Sequence, residues 1–185
     1  MDSISHTRVA NLLLAHIQEN AGVTFDANAF RYGNLKPDLT GTYLTKRHYP
    51  SLMFDEVMDK LRAFCSNYTL CDANGRDLSV DLGEICHYLT DFFCYPHNDD
   101  LYPHGLLAHY IYEKHFEGWV DGVVAPYTVE GLISRIQALH DKYRALPHHG
   151  IVSDMEFICK VNVLCVSAVI NIAYESERET VTAMA

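Results

Sequence analysis

Residues 85–114 read ICHYLTDFFCYPHNDDLYPHGLLAHYIYEK, and this stretch decides how the rest of the chain is read. Two ligand pairs stand at i, i+4: His87 with Asp91, and His109 with Glu113, with His97 between them. On a helix that spacing stacks two side chains on one face, close enough to grip one ion together. The apolar residues around the first pair share the helical period. Leu78, Leu82, Ile85, Leu89 and Phe92 form one face of a helix predicted over about 78–93, while Val80, Gly83, His87, Asp91 and Cys94 form another. Gly83 lies one turn before His87 and leaves room beside it. A second helix, about 105–116, carries His109 and Glu113. One such pair alone reads more simply as a hydrogen bond within a helix. Two pairs and a histidine in so short a stretch point to metal, because such a group is costly to bury unless a cation neutralises it.

The same periodicity extends outward. Val9, Leu13 and Ile17 predict a helix over about 5–19, with His6 on the same stripe. Phe54, Met58, Leu61 and Phe64 predict another over about 51–66, and two more are expected over about 129–145 and 153–175. Ala21–Arg47, punctuated by Gly33, Pro37 and Gly41, reads as a loop, and Asp72–Gly75 as a turn. No segment shows convincing β alternation, so the fold class is all-α, a multi-helix bundle. The length of 185 residues and the absence of a repeat or linker predict a single domain, residues 1–185.

Composition narrows the function. With 24 acidic and 14 basic residues the formal net charge is −10, and no Lys/Arg cluster marks a nucleic-acid surface, so no stable nucleic-acid complex is expected. Eleven histidines are the outlier. The six cysteines form no CxxC and mostly sit in apolar helical patterns, where a reduced thiol packs as a small hydrophobe. Cys86 and Cys94 lie near the ligands and are weaker candidates for zinc thiolates. The start Met1-Asp2-Ser3 reads as no signal peptide, which predicts a reducing, cytoplasmic setting. The most apolar run, Val161–Ala173, is too short to span a bilayer and is expected to be a buried helix rather than a transmembrane segment. Oligomeric state is not legible.

Further ligands should come from upstream loops. Asp38 follows Pro37, and His48 lies in Lys46-Arg47-His48-Tyr49. In order, then, the chain offers His6, Asp38, His48, His87-Tyr88-Leu89-Thr90-Asp91, His97 and His109-x3-Glu113. This order resembles the zinc-dependent phospholipase C family, which shares its helical fold with the S1/P1 nucleases. The family has a first-helix histidine, a loop aspartate, a loop histidine, a His-Tyr-x-x-Asp helix, another histidine and a His-x3-Glu helix. The resemblance covers residues 6–113 and implies two or three zinc ions. Asp38, His48, His87 and Asp91 would hold one, and His97, His109 and Glu113 a second. His6 would share a third with Asp91, which bridges. In secreted relatives the third ion also takes the amine and carbonyl of an N-terminal tryptophan. The only tryptophan here is Trp119, so water or the backbone near Met1 would fill those positions. An aromatic expected after Asp38 is Leu39 here.

The resemblance implies a metal-dependent phosphodiester hydrolase acting on phospholipid or another phosphodiester, with Asp38 orienting or deprotonating the attacking water. Iron or manganese would also suit histidine and carboxylate ligands. The alternatives are a non-catalytic metal-binding helical protein and a nuclease-type phosphodiesterase. Two rival constellations stand beside this reading. Glu84-x-x-His87 matches half of a di-iron carboxylate site, which needs a second such motif and two further glutamates. His140-Asp141 is an HD dipeptide, read as a solvated helix face. His16, beside the stripe of the first helix, could stand in for His6.

Overall fold

The computed structural model describes residues 1–40, 47–70, 75–98, 100–101 and 123–184. Seven helices are seen among them: α1 (Ser3–Asn20), α2 (Ala27–Gly33), α3 (Lys36–Leu39), α4 (Pro50–Asn67), α5 (Arg76–Phe92), α6 (Val129–Arg144) and α7 (Ile151–Met184). One 3-10 turn, Tyr95–His97, follows α5. No strand occurs among the described residues, and the fold is all-α. The helix expected over 105–116 lies outside them.

Three of the long helices start and pack for a local reason. Asp2 caps α1 by accepting the Ser5 N–H at 2.8 Å. Val9, Ala10, Leu13 and Ile17 form the buried stripe of that helix, and His6 falls on it. Pro50 opens α4, where its missing N–H costs nothing, and Met53, Val57, Met58, Leu61 and Phe64 turn inward. Thr128 caps α6, and Lys142 and Arg144 in its last turn complement the helix dipole.

Helix α5 is the centre of the bundle. Every residue from Leu82 to Phe92 is buried, because α1, α2, α4 and α7 all pack against it. Apolar residues on most faces meet the neighbours, and the remaining face carries His87 and Asp91 inward.

The supposed loop over 21–47 is corrected in part. Asp26 accepts the N–H groups of Asn28 and Ala29 and so starts α2, and Pro37 sits in the first turn of α3. Gly33 ends α2 for a packing reason. A Cβ there would collide with the Val80 carbonyl, and a Cβ on Gly83 would collide with the Phe30 carbonyl. The two glycines let α2 and α5 cross with their backbones in contact. The room beside Gly83 is therefore filled by another helix.

Helix α7 is longer than expected. It runs unbroken for 34 residues, so by length and composition it could cross a membrane, and the argument from shortness does not hold. Most of its apolar window is nevertheless buried against the other helices, including Val161, Leu164, Cys165, Val166, Val169 and Ile170.

Candidate metal centre

Five segments converge on one buried carboxylate. Helix α1 brings His6, α3 brings Asp38, the strand-free stretch before Pro50 brings His48, α5 brings His87 and Asp91, and the 3-10 turn brings His97. His6, His87 and Asp91 are fully buried, and His48 is nearly so. Asp38 was expected on a loop. It stands instead on the short helix α3, with its side chain 27% exposed.

The two oxygens of Asp91 face different partners. Its Oδ2 lies 3.1 Å from His48 Nδ1 and 3.3 Å from His87 Nε2. These two nitrogens are 3.0 Å apart, and Asp38 Oδ1 lies 3.8 and 3.7 Å from them. Its Oδ1 accepts from the Met1 amino group at 2.5 Å, 3.3 Å from His6 Nε2 and 3.7 Å from His97 Nε2. The Met1 nitrogen is in turn 2.9 Å from His97 Nε2. The cap at Asp2 turns Met1 back into the protein, which is how an amino terminus reaches a buried aspartate.

These residues fit a metal ion. Ligand atoms around one tetrahedral zinc at about 2.1 Å lie about 3.4 Å from one another. His48 Nδ1, His87 Nε2 and Asp91 Oδ2 lie 3.0 to 3.3 Å from one another, and Asp38 Oδ1 stands 3.8 and 3.7 Å from the two histidine nitrogens, around that value. Both imidazole nitrogens of His6 are also buried without a hydrogen-bond partner, Nε2 facing Asp91 Oδ1 at 3.3 Å. Such nitrogens are costly in a core unless something takes their lone pairs.

The ring of His87 is oriented from behind. The Asn34 carbonyl lies 2.8 Å from His87 Nδ1 and can only accept, so Nδ1 carries the proton. The Nε2 lone pair is thereby aimed at Asp38, His48 and Asp91, as a ligating histidine requires. The Gly33–Gly83 crossing is what brings Asn34 this close.

Electrostatics agree with an electron-pair-donating site. Burial first, then His87, lowers the His6 pKa to about 3, leaving it neutral. Burial would raise the carboxyl of Asp91, but His97, the Met1 amine, His87 and His6 outweigh it and hold that carboxyl well below its usual range. Asp38 moves the other way. Burial raises its pKa, and the Asp91 charge adds to this against the opposing histidines.

Of the predicted ligands, His6, Asp38, His48, His87, Asp91 and His97 come together, and His109 and Glu113 lie outside the described residues. The rival readings separate from the site. Glu84 is held by Lys36 Nζ at 2.8 Å and by Lys60, so its carboxylate bridges α3 and α4 to α5. His16 instead contacts Ser167 at 3.2 Å and Asn20. His140 is not solvated, a correction: it is buried against Phe54 and Phe93, while Asp141 is exposed. Neither Cys86 nor Cys94 joins a ligand group among the described residues. The Asn34 carbonyl was missed, and only the glycine spacing could have hinted at it.

Comparison with known proteins agrees with this geometry. A family model described as zinc dependent phospholipase C matches residues 5–150, which span every ligand candidate from His6 to Glu113. No curated protein and no solved structure matches the chain. The matched residues make up most of the chain, and they carry the buried histidine and aspartate cluster of a metal-dependent, phospholipase-like hydrolase. The chain belongs to the zinc-dependent phospholipase C family.

Proposed function

We propose that this protein hydrolyses phosphodiesters of the phospholipid type, using a site of two or three zinc ions bridged by Asp91. The observation that carries this reading is the division of Asp91, with Oδ2 turned to His48 and His87 and Oδ1 turned to Met1, His6 and His97. One buried carboxylate serving two donor sets suits a multinuclear site better than a single closed one. Asp38, His48, His87 and Asp91 would hold one ion, His6 and Asp91 another with water or backbone in its remaining positions, and His97 with His109 and Glu113 a further one. Bound zinc supplies Lewis-acid polarisation of a phosphoryl oxygen and a water acidified to near neutral pH.

The remaining work falls to Asp38. Its side chain is partly open to solvent, whereas that of Asp91 is sealed. From α3 it can orient the attacking water and take its proton while still facing His48 and His87.

Two measurements test this together. Protein purified without chelators is analysed for metals, and at least two equivalents are expected. Wild type and Asp38→Asn are then compared on choline, ethanolamine, inositol and nucleotide diesters. The variant should keep most of its metal and its helix content but lose at least about tenfold in turnover, the low side of a general-base contribution. Metal below half an equivalent, with none taken up on soaking, would refute the site. Bound metal without activity on any diester would favour the non-catalytic reading, and activity on nucleotide diesters alone would favour a nuclease.

A further inference from the structure

Outside the ligand set, one buried carboxylate reaches toward the site from a helix that the family match does not cover. Asp154 lies in the first turn of α7 and is 2% exposed. Its Oδ2 accepts the Tyr95 backbone N–H at 2.6 Å, and its Oδ1 accepts the Tyr143 hydroxyl at 2.8 Å. Tyr143 is itself wedged among the rings of Phe93, His149 and Phe157, which holds its hydroxyl in place.

Tyr95 opens the 3-10 turn that presents His97. A turn of three residues has little cohesion of its own, since its hydrogen-bond geometry is poor and the Pro96 nitrogen cannot donate. It is tied down at both ends. At the far end, the Asn98 side chain donates to the carbonyls of Phe92 and Cys94 at 3.2 and 3.0 Å. At the near end, Asp154 takes the Tyr95 N–H. Between these ties the His97 ring stands with Nε2 2.9 Å from the Met1 nitrogen and 3.7 Å from Asp91 Oδ1.

We infer that Asp154 is a positioning residue for His97: by gripping Tyr95 it sets where the imidazole of the 3-10 turn meets the metal centre. The inference rests on the proposed reading of His97 as a ligand. It makes α7 part of the site's scaffold although the family match ends at residue 150.

The test is zinc competition titration of the full chain against a chromophoric chelator, beside thermal melts. His97→Ala and His48→Ala first define which zinc depends on each histidine. Asp154→Ala should weaken the His97-dependent zinc by about tenfold or more, as loss of a ligand's supporting partner does, and leave the His48-dependent zinc within about threefold. Asp154→Asn should stay within about threefold of wild type for both, because its amide can still accept from Tyr95 and donate to Tyr143. If Asp154→Ala does not fold, Asp154→Ser is read in the same way, since it stays polar but is too short to reach both partners. Equal weakening of both zinc classes, in step with a lowered melting temperature, would overturn the inference and leave Asp154 a structural residue. So would an Asp154→Ala variant with unchanged affinity for the His97-dependent zinc. Zinc binding that His97→Ala leaves untouched would instead overturn the ligand reading of His97, and the inference with it.

Discussion

Replacing Gly83 with alanine should damage the metal centre without touching a ligand. The new Cβ would run into the Phe30 carbonyl on α2 and lie 3.1 Å from the nitrogen of Asn34, which caps that helix. These are backbone atoms, so no rotamer change relieves the clash, and α2 must withdraw by about 1 Å to regain ordinary contact distance. The Asn34 carbonyl moves with it. Its 2.8 Å contact to His87 Nδ1 would open beyond about 3.6 Å, where no hydrogen bond remains. Overpacking of this kind costs about 1–3 kcal/mol, and the lost buried hydrogen bond about 1 kcal/mol more. Alanine in a helix returns about 0.5–1 kcal/mol over glycine, so a net loss of about 1–3 kcal/mol is expected. Loss of the carbonyl behind His87 should also weaken zinc binding by about 10–100-fold. Urea unfolding of the metal-stripped protein gives the first quantity and chelator competition the second. Gly150→Ala is the control, since nothing lies within 4 Å of its Cβ position. A Gly83→Ala variant with stability within about 0.5 kcal/mol of wild type and unchanged zinc affinity would refute the account of the crossing.

Two further outcomes are expected. Glu84→Gln should lose about 1–2 kcal/mol, as the charge-assisted bonds to Lys36 and Lys60 weaken, and should keep its full metal count; loss of a metal equivalent would restore Glu84 as a ligand. His140 is held neutral, its pKa lowered to about 4 by burial and then by Arg144. The unfolded chain binds a proton there near pH 6.5 and the folded one does not. Stability is therefore complete above pH 6.5 and is lost as pH falls from 6.5 toward 4, by about 2 kcal/mol at pH 5. The difference in unfolding free energy between wild type and His140→Gln, measured at pH 7.5 and pH 5, should change by about that amount in favour of the variant; a difference independent of pH would count against a neutral buried His140.

What was legible in the sequence is what periodicity carries. The helices around His6, Met58, His87 and Ile136 could be placed to within a few residues, because each carries a 3.6-residue apolar stripe, and all but the His87 helix start on a side-chain cap or a proline. The i, i+4 relation of His87 and Asp91 follows from helix geometry alone, as does the place of His6 on the inward stripe of α1. Short helices escaped, since α2 and α3 contain too few residues to show a period and are broken by Gly33 and Pro37. Burial escaped too. His140 sits in a polar stretch, yet Phe54 and Phe93, distant in sequence, close over it.

Only the tertiary structure decided how the ligands divide. The order of histidines and carboxylates says nothing about which oxygen of Asp91 faces His48 and which faces Met1, because that depends on where α1, α3 and the 3-10 turn end in space. Nor does it reveal that the carbonyl of Asn34, at the C-cap of α2, and a carboxylate from α7 support His87 and the turn bearing His97. Backbone groups leave no mark on a sequence motif, and a contact spanning 59 positions depends on the packing of helices rather than on any local preference.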